Sequence, residues 1–181
     1  MNDRVNRLVA VSVALLSVFM GLAKVKDDNI GQAMQDAKAR MVDSWNEYQA
    51  KKIKQHLEEG EAFQLDVLGG TLAADARAKV DTRRTQLLAN VKRYSEELAK
   101  LRAQAEGYDK QYESLNFVDD QFDLSDAACS VSLGMLAVAA LVGSMRLLGF
   151  AWIFVALGMT EGLSAFLGWG LHPDWLVKLL S

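Results

Sequence analysis

The sequence predicts an all-α integral membrane protein with three transmembrane helices and a long helical hairpin, a coiled coil, inserted between the first and second spans. Two observations predict this fold. Residues 24–126 hold 36 of the 43 charged side chains, and a charged middle between two nearly charge-free ends is typical of a membrane protein with a soluble insert. The same residues contain no proline, which favours long uninterrupted helices.

Composition excludes several classes of protein. The chain has a single cysteine, which cannot form a disulfide within the chain, and this excludes a secreted disulfide scaffold. Residues 24–126 carry 16 Lys and Arg against 20 Asp and Glu, and this excess of negative charge excludes a basic nucleic-acid binder. The sequence has no glycine-rich phosphate loop and no Ser–His–Asp order, so we expect no enzymatic activity and no cofactor. His56 and His172 lack further ligands at metal-binding spacing.

The first element, residues 1–25, is predicted to be an N-terminal transmembrane anchor. Residues 8–23 form a run of 16 uncharged residues, about 24 Å as a helix. The run is shorter than the hydrocarbon core, but the flanking Lys and Arg side chains can place their charges at the headgroups while their apolar stems lie in the core. A basic start and the small residues Gly21 and Ala23 also fit a cleaved signal peptide. We interpret the segment as an uncleaved anchor.

Residues 26–124 are predicted to form the soluble hairpin, with its tip near residues 69–70. Gly69-Gly70 is the one double helix breaker between the spans, and it divides the insert into two nearly equal arms. Apolar residues of the second arm recur at alternating steps of four and three, the pattern of a coiled-coil seam. The seam comprises Leu87, Val91, Tyr94, Leu98, Leu101, Ala105, Tyr108, Tyr112 and Leu115. The sustained heptads favour a homo-oligomer, and the alternative is a monomer whose third helical element covers the seam.

Residues 125–171 are predicted to form a two-helix transmembrane hairpin. Its spans cover about 127–145 and 150–171, with a tight turn at residues 146–149. Small residues four apart let helices approach closely in lipid, and they predict packing at Gly134, Gly143, Gly158 and Gly162. Pro173 then ends the helix, and residues 172–181 are predicted to be an interfacial tail.

The stretch from Ser44 to Lys54, SWNEYQAKKIK, resembles a motif of a bacterial membrane-protein family known only as domain of unknown function 4337. The resemblance implies a span before the motif, a helical insert and two closing spans, with residues 119–122 where the chain re-enters the membrane. No activity, cofactor or catalytic residue is established for the family, so the resemblance supports architecture alone. Within the motif, Trp45 and Tyr48 are predicted to pack in the hairpin seam, and the alternative is a partner-docking patch.

Glu161 is the first candidate functional residue. It lies 11 positions past Phe150, about 17 Å into the third span and near the midplane. A carboxylate there usually faces a bundle interior or a water-filled path. Glu161 is therefore a candidate proton or cation site, although we favour a protonated side chain that hydrogen-bonds across a helix interface.

An acidic group just above the membrane is the second candidate. Its members are Asp119, Asp120, Asp123 and Asp126. They could bind divalent cations loosely or line a vestibule. We favour the structural interpretation, in which they cap the second span and keep the loop out of the bilayer.

These features predict a non-enzymatic, self-associating membrane scaffold or accessory subunit that presents its coiled-coil hairpin to a partner or to other subunits. The alternative is an oligomeric cation or proton pathway that uses Glu161 and the acidic group. The expected partners are the lipid bilayer, further copies of the chain and another membrane-protein complex, but not nucleic acid. Three Lys or Arg residues lie near the membrane on each side, so their count does not decide the orientation of the chain. The first span usually dominates orientation, and we base the prediction on it. We expect a bacterial inner membrane, a cytoplasmic N-terminus and an extracytoplasmic hairpin.

Overall fold

The computed structural model describes residues 3–170, which contain three α-helices and no strand. Helix α1 spans Asp3–Gly69, α2 spans Ala74–Val142 and α3 spans Met145–Leu167. Each contains a stretch long and apolar enough, by length and composition, to cross a membrane. The predicted all-helical fold with three candidate spans is confirmed at this level. The predicted tail at 172–181 lies outside the described residues.

The chain divides into two compact units. The span unit combines the residues up to Gln35 with those from Glu113 onward, and the arm unit comprises Asp36–Tyr112. A cluster of buried apolar side chains from all three helices forms the core of the span unit: Val5, Val9, Leu16, Cys129, Leu136, Ala139, Leu148 and Ala151. Trp152 of α3 also donates a hydrogen bond from Nε1 to Ser12 Oγ of α1 at 3.0 Å.

The arm unit pairs the later part of α1 with the earlier part of α2. Helix α1 ends at Gly69, and the backbone N–H of Thr71 donates to the carbonyl of Leu68 at 3.0 Å. Contacts between the helices join later residues of α1 to earlier residues of α2, so the two helices run antiparallel here. The buried side chains of this unit are Ala37, Ala62, Leu87, Leu98, Leu101 and Ala105.

Helices α2 and α3 are joined at Gly143 and Ser144, and the predicted turn at residues 146–149 is wrong. Gly143 has a φ of 69°, a left-handed conformation that glycine adopts without steric cost. Ser144 is the N-cap of α3, and its hydroxyl accepts a hydrogen bond from the N–H of Leu147. The turn therefore forms where a left-handed glycine and a capping serine meet, and Arg146 belongs to the first turn of α3.

Helix α3 ends at Leu167, earlier than the predicted end near residue 171. Gly168 has a φ of 67°, and its N–H donates to the carbonyl of Ser164. The N–H of Trp169 donates to the same carbonyl at 2.9 Å. A left-handed glycine cap thus ends the helix before Pro173 is reached.

Candidate functional site

Helices of the span unit approach each other closely at Gly158 and Gly162 of α3. A Cβ on Gly158 would lie 2.6 Å from Cys129 Sγ and 3.0 Å from the carbonyl oxygen of Ser125. A Cβ on Gly162 would lie 2.5 Å from Cζ of Phe19 and 2.6 Å from Ser125 Oγ. Because these positions have no room for a side chain, two of the four predicted packing glycines lie where helices of one chain meet.

The other two predicted packing glycines lie elsewhere. A Cβ on Gly134 would have no neighbour within 4 Å, and this glycine lines an open, mostly apolar groove with Val131 and Val138. Gly143 forms the turn between α2 and α3. The same spacing of small residues therefore occurs in three settings: at a helix contact within the chain (Gly158 and Gly162), on an open surface (Gly134) and in a turn (Gly143).

A buried polar network joins the start of the second span to the end of α3. Gln121 is fully buried, and its Nε2 donates to Ser164 Oγ at 3.1 Å and to the carbonyl of Trp169 at 3.0 Å. Ser164 Oγ donates to the same carbonyl at 3.0 Å. One turn further along α2, the hydroxyl of Ser125 donates to the carbonyl of Gly158 at 2.7 Å. These bonds satisfy polar groups that would be costly to bury unpaired.

Sequence reasoning missed Gln121, although a signal for its burial is present. Val118, Leu124 and Ser125 lie three or four positions away and share its helix face. A lone amide on such a face indicates a buried side chain. Its partners on α3 are more than 40 residues distant, so local spacing does not identify them.

An acidic groove lies in the span unit beside the predicted membrane boundary. It brings Asp119 and Asp123 of α2 together with Lys24, Asp27 and Asp28 of α1. Lys24 Nζ lies 2.9 Å from Asp27 Oδ2 and 3.2 Å from Asp28 Oδ1. The sequence identified the two aspartates of α2, but it did not indicate that α1 contributes to the same groove.

Burial and neighbouring carboxyl groups raise the pKa values of Asp119 and Asp123 in this groove. Burial, the nearby charges of Asp123 and Asp27, and a hydrogen bond with Asp27 raise the pKa of Asp119 to about 6. Burial also raises the pKa of Asp123, with a further contribution from the charge of Asp27. The pKa values of Asp119 and Asp123 therefore both lie above that of an isolated aspartate.

The remaining two members of the predicted acidic group lie nearby. Asp120 accepts a hydrogen bond from Asn116 Nδ2 at 3.3 Å. Asp126 lines a small cavity of about 40 Å³ together with Met20 and Phe122. Across residues 3–170, no group of three or more His, Cys, Asp and Glu side chains is arranged to hold a metal ion.

Glu161 is half-buried on α3. It lines an open groove whose other lining residues, among them Trp152, Leu157 and Thr160, all belong to the same helix. The hydroxyl of Thr160 donates to the carbonyl of Ala156 within α3 at 2.7 Å. One carboxylate oxygen of Glu161, Oε2, is buried, and the close contacts of Gly158 and Gly162 lie on a neighbouring face of α3.

Polar contacts hold the two helices of the arm unit together. They are Lys51–Glu97 at 2.8 Å, Gln55–Ser95 at 2.8 Å, Arg83–Glu61 at 3.0 Å and Arg84–Asp66 at 3.1 Å. The hydrogen bond from Lys51 lowers the pKa of Glu97. Among the predicted seam residues, Leu87, Leu98 and Leu101 are buried, and Val91, Tyr94, Tyr108 and Tyr112 are half-buried. Leu115, at the end of the predicted seam, packs in the span unit beside Ile30.

Trp45 and Tyr48 form an aromatic pair on α1. Their ring centroids are 5.5 Å apart with an interplanar angle of 81°, an edge-to-face arrangement favoured by the ring quadrupoles. Lys52 Nζ lies 5.8 Å from the centroid of the Tyr48 ring. Both aromatic residues are half-buried, so each keeps one surface open.

A family model described as "Domain of unknown function (DUF4337)" matches residues 5–168. No curated protein and no solved structure matches the chain.

Proposed function

The chain belongs to the family described as domain of unknown function DUF4337, and on that premise we propose that it is a non-enzymatic, self-associating membrane scaffold or accessory subunit. Its three apolar helical segments anchor it in a bilayer. Its arm unit acts as a coiled-coil hairpin that contacts other subunits or a partner membrane complex. Trp45 and Tyr48 belong to this contact surface or to the seam beside it.

The observation that carries the proposal is the construction of the arm unit. Residues 36–112 form a compact unit of two antiparallel helices, and the pair buries Ala37 and Ala62 of α1 together with Leu87, Leu98, Leu101 and Ala105 of α2. Two helices alone leave their outer faces uncovered. A membrane protein that holds such a surface outside its spans is suited to binding another protein through it.

The test is the mass of the particle solubilised in detergent or nanodiscs, measured by native mass spectrometry. We expect a discrete homo-oligomer that persists on dilution to nanomolar concentration. A monomer at micromolar concentration in both environments would refute self-association.

A cation or proton pathway is the second candidate, and the acidic groove favours it. Asp119 titrates close to neutrality beside Asp27, which suits a group that exchanges protons. The position of Glu161 favours it less, since its groove is lined by α3 alone. Proton flux into liposomes containing the wild-type chain, abolished in both Glu161→Gln and Asp119→Asn, would replace the scaffold with this function.

We propose a bacterial inner membrane as the location, with the N-terminus in the cytoplasm and the arm unit outside it. The resemblance to a bacterial membrane-protein family supports the location, and the usual dominance of the first span supports the orientation. Labelling of intact cells with a membrane-impermeant thiol reagent tests it. A cysteine introduced at exposed Asn46 is labelled in this orientation and protected in the opposite one.

A further inference from the structure

The acidic groove of the span unit holds more carboxyl groups than its cation can pair. Of the residues that the structure describes, four aspartates and one lysine line it. Lys24 Nζ lies 2.9 Å from Asp27 Oδ2 and 3.2 Å from Asp28 Oδ1, so both aspartates of α1 share the lysine. Asp119 and Asp123 of α2 line the same groove. The two aspartates of α2 therefore lie beside a cation that is already engaged.

Asp27 uses only one of its two carboxylate oxygens in this ion pair. Its side chain is 14% exposed. Oδ2 accepts a hydrogen bond from Lys24, whereas Oδ1 is buried and, within residues 3–170, accepts none from an N–H group or a hydroxyl. A buried carboxylate oxygen without a donor is costly. The position therefore requires a proton donor that faces Oδ1.

Asp119 is the side chain of α2 that meets Asp27, and the two carboxyl groups are hydrogen-bonded to each other. Ionised carboxylates only accept hydrogen bonds, so one of the two must carry a proton. The ion pair with Lys24 favours the ionised form of Asp27. Burial and the charges of Asp123 and Asp27 raise the pKa of Asp119 to about 6. The proton therefore belongs to Asp119.

We propose that protonated Asp119 donates a hydrogen bond to the buried Oδ1 of Asp27 and so forms a pH-dependent clasp between α2 and α1. The clasp is closed while Asp119 holds its proton. When the proton leaves to the solvent through the open groove, the hydrogen bond is lost and two carboxylates face each other. Their repulsion separates the two helices locally. The clasp belongs to the span unit and is independent of the proposed self-association.

The charged groups around the clasp determine the pH at which it opens. On α2, Asp123 and Asp120 add negative charge beside Asp119 and favour the closed, protonated form. On α1, the charge of Asp28 is paired with Lys24. Within the described part of α3, no side chain lines the groove. The pKa of Asp119 in the folded chain lies above its ordinary 3.8, so the clasp stabilises the fold in acid and is lost as the pH rises through about 6.

A water molecule is the competing donor to Oδ1 of Asp27. A small cavity of about 40 Å³ is lined by Asp27 together with Lys24, Asp123 and Ser125, and it is large and polar enough to hold a water. A water would donate to Oδ1 at every pH. The proton of Asp119 is lost at about pH 6, so the pH dependence separates the two donors.

The first experiment follows the proton by infrared difference spectroscopy of the full-length protein in nanodiscs. At pH 5 we expect the carbonyl stretch of a protonated carboxyl group that disappears with a midpoint of about pH 6 and is absent from Asp119→Asn. Asp27→Asn removes the acceptor charge, so its midpoint is expected to fall by about one pH unit or more. Asp109→Asn is the matched control, because Asp109 is an exposed aspartate of α2 in the arm unit, and its midpoint should equal that of the wild type.

The second experiment measures the separation of α1 and α2 in a Cys129→Ala background. Spin labels are attached at Gln32→Cys of α1 and Glu113→Cys of α2, two exposed positions of the span unit. Double electron–electron resonance is expected to give a longer distance between the labels at pH 8 than at pH 5. Asp119→Asn keeps an N–H donor for Asp27 at both pH values, so its distance should stay at the shorter value throughout.

Each result either supports or overturns the clasp. A lowered midpoint in Asp27→Asn, together with a pH-dependent distance that Asp119→Asn abolishes, supports it. An unchanged midpoint in Asp27→Asn shows that Asp27 is not the acceptor, and a missing carbonyl band at pH 5 assigns Oδ1 to a water donor. A wild-type distance that is equal at both pH values shows that the helix contact does not depend on the proton. Any of these last three results overturns the inference and leaves the proposed self-association intact.

Discussion

Replacing Gly158 with alanine tests how tightly α3 is seated in the span unit. The added methyl group would lie 2.6 Å from Cys129 Sγ, 3.0 Å from the carbonyl oxygen of Ser125 and 3.1 Å from the backbone nitrogen of Cys129. The sulfur can move by rotation of its side chain. The two backbone atoms cannot, so α2 and α3 must separate locally.

The cost follows from these distances. Overpacking a closely packed site costs about 1–3 kcal/mol. Separation of the helices also stretches the 2.7 Å bond from the Ser125 hydroxyl to the carbonyl of Gly158, worth about 0.6–1.7 kcal/mol in a membrane protein. The better helix propensity of alanine offsets about 1 kcal/mol. We expect Gly158→Ala to lower the free energy of unfolding by about 1–3 kcal/mol.

Gly134→Ala is the matched control, because the same substitution at Gly134 meets no atom within 4 Å and keeps only the gain in helix propensity. Equilibrium unfolding in mixed micelles with increasing SDS, followed by tryptophan fluorescence, measures both variants. The expected gap between the two free energies of unfolding is about 2–4 kcal/mol. Adding Cys129→Ala to Gly158→Ala should recover part of the loss, since only the sulfur contact is relieved.

Equal stabilities of the Gly158→Ala and Gly134→Ala variants would refute this reasoning. They would mean that α3 does not pack against α2 through Gly158. Full recovery by Cys129→Ala would show instead that the sulfur alone limits the space, and that the backbone contacts contribute nothing.

Three further predictions use the same unfolding measurement. Gln121→Leu removes both hydrogen bonds donated by the buried amide and is expected to cost about 1–3 kcal/mol; an unchanged stability would contradict the role of the network. Ser144→Ala removes the N-cap of α3 and is expected to cost about 1 kcal/mol, whereas Ser144→Asp should retain most of the stability. The pKa of Asp119 is raised to about 6 in the folded chain from an ordinary 3.8, so the folded state binds this proton at a higher pH than the unfolded state. The free energy of unfolding should therefore rise by about 1 kcal/mol, after discounting for solvent, as the pH falls from 7 to 5. The Asp119→Asn variant should lack this rise. A free energy of unfolding that falls equally in the wild-type and variant chains on acidification would contradict the assignment.

Hydropathy and charge were sufficient to predict three apolar helical segments and an all-helical chain, because each segment is a local property of about 20 residues. The ends of the closing helices were less predictable. Arg146 and Pro173 are conspicuous in the sequence, but the helix boundaries are set by Gly143 with Ser144 and by Gly168. A left-handed glycine depends on where the chain must turn, which the spacing of apolar residues does not specify.

Contacts distant in sequence account for the rest. Gly134 and Gly158 have the same sequence signature, yet only Gly158 has a helix against it. Asp27 joins Asp119 in one groove, and Gln121 reaches the carbonyl of Trp169. Each of these pairs is made by the arrangement of helices, and neither member alone indicates its partner.

The hydrogen bond between Trp152 and Ser12 has a consequence for the order of synthesis, because it joins residues 140 positions apart. Ribosomes add about 5–20 residues per second, so roughly 7–28 s pass between the synthesis of Ser12 and that of Trp152. A connection of two residues separates α2 from α3, so these two helices can meet as soon as both have emerged from the ribosome. The nascent chain therefore passes through a state in which the Ser12 hydroxyl and the Phe19 ring lack their partners from α3, and a chaperone or insertase has those seconds in which to bind that surface.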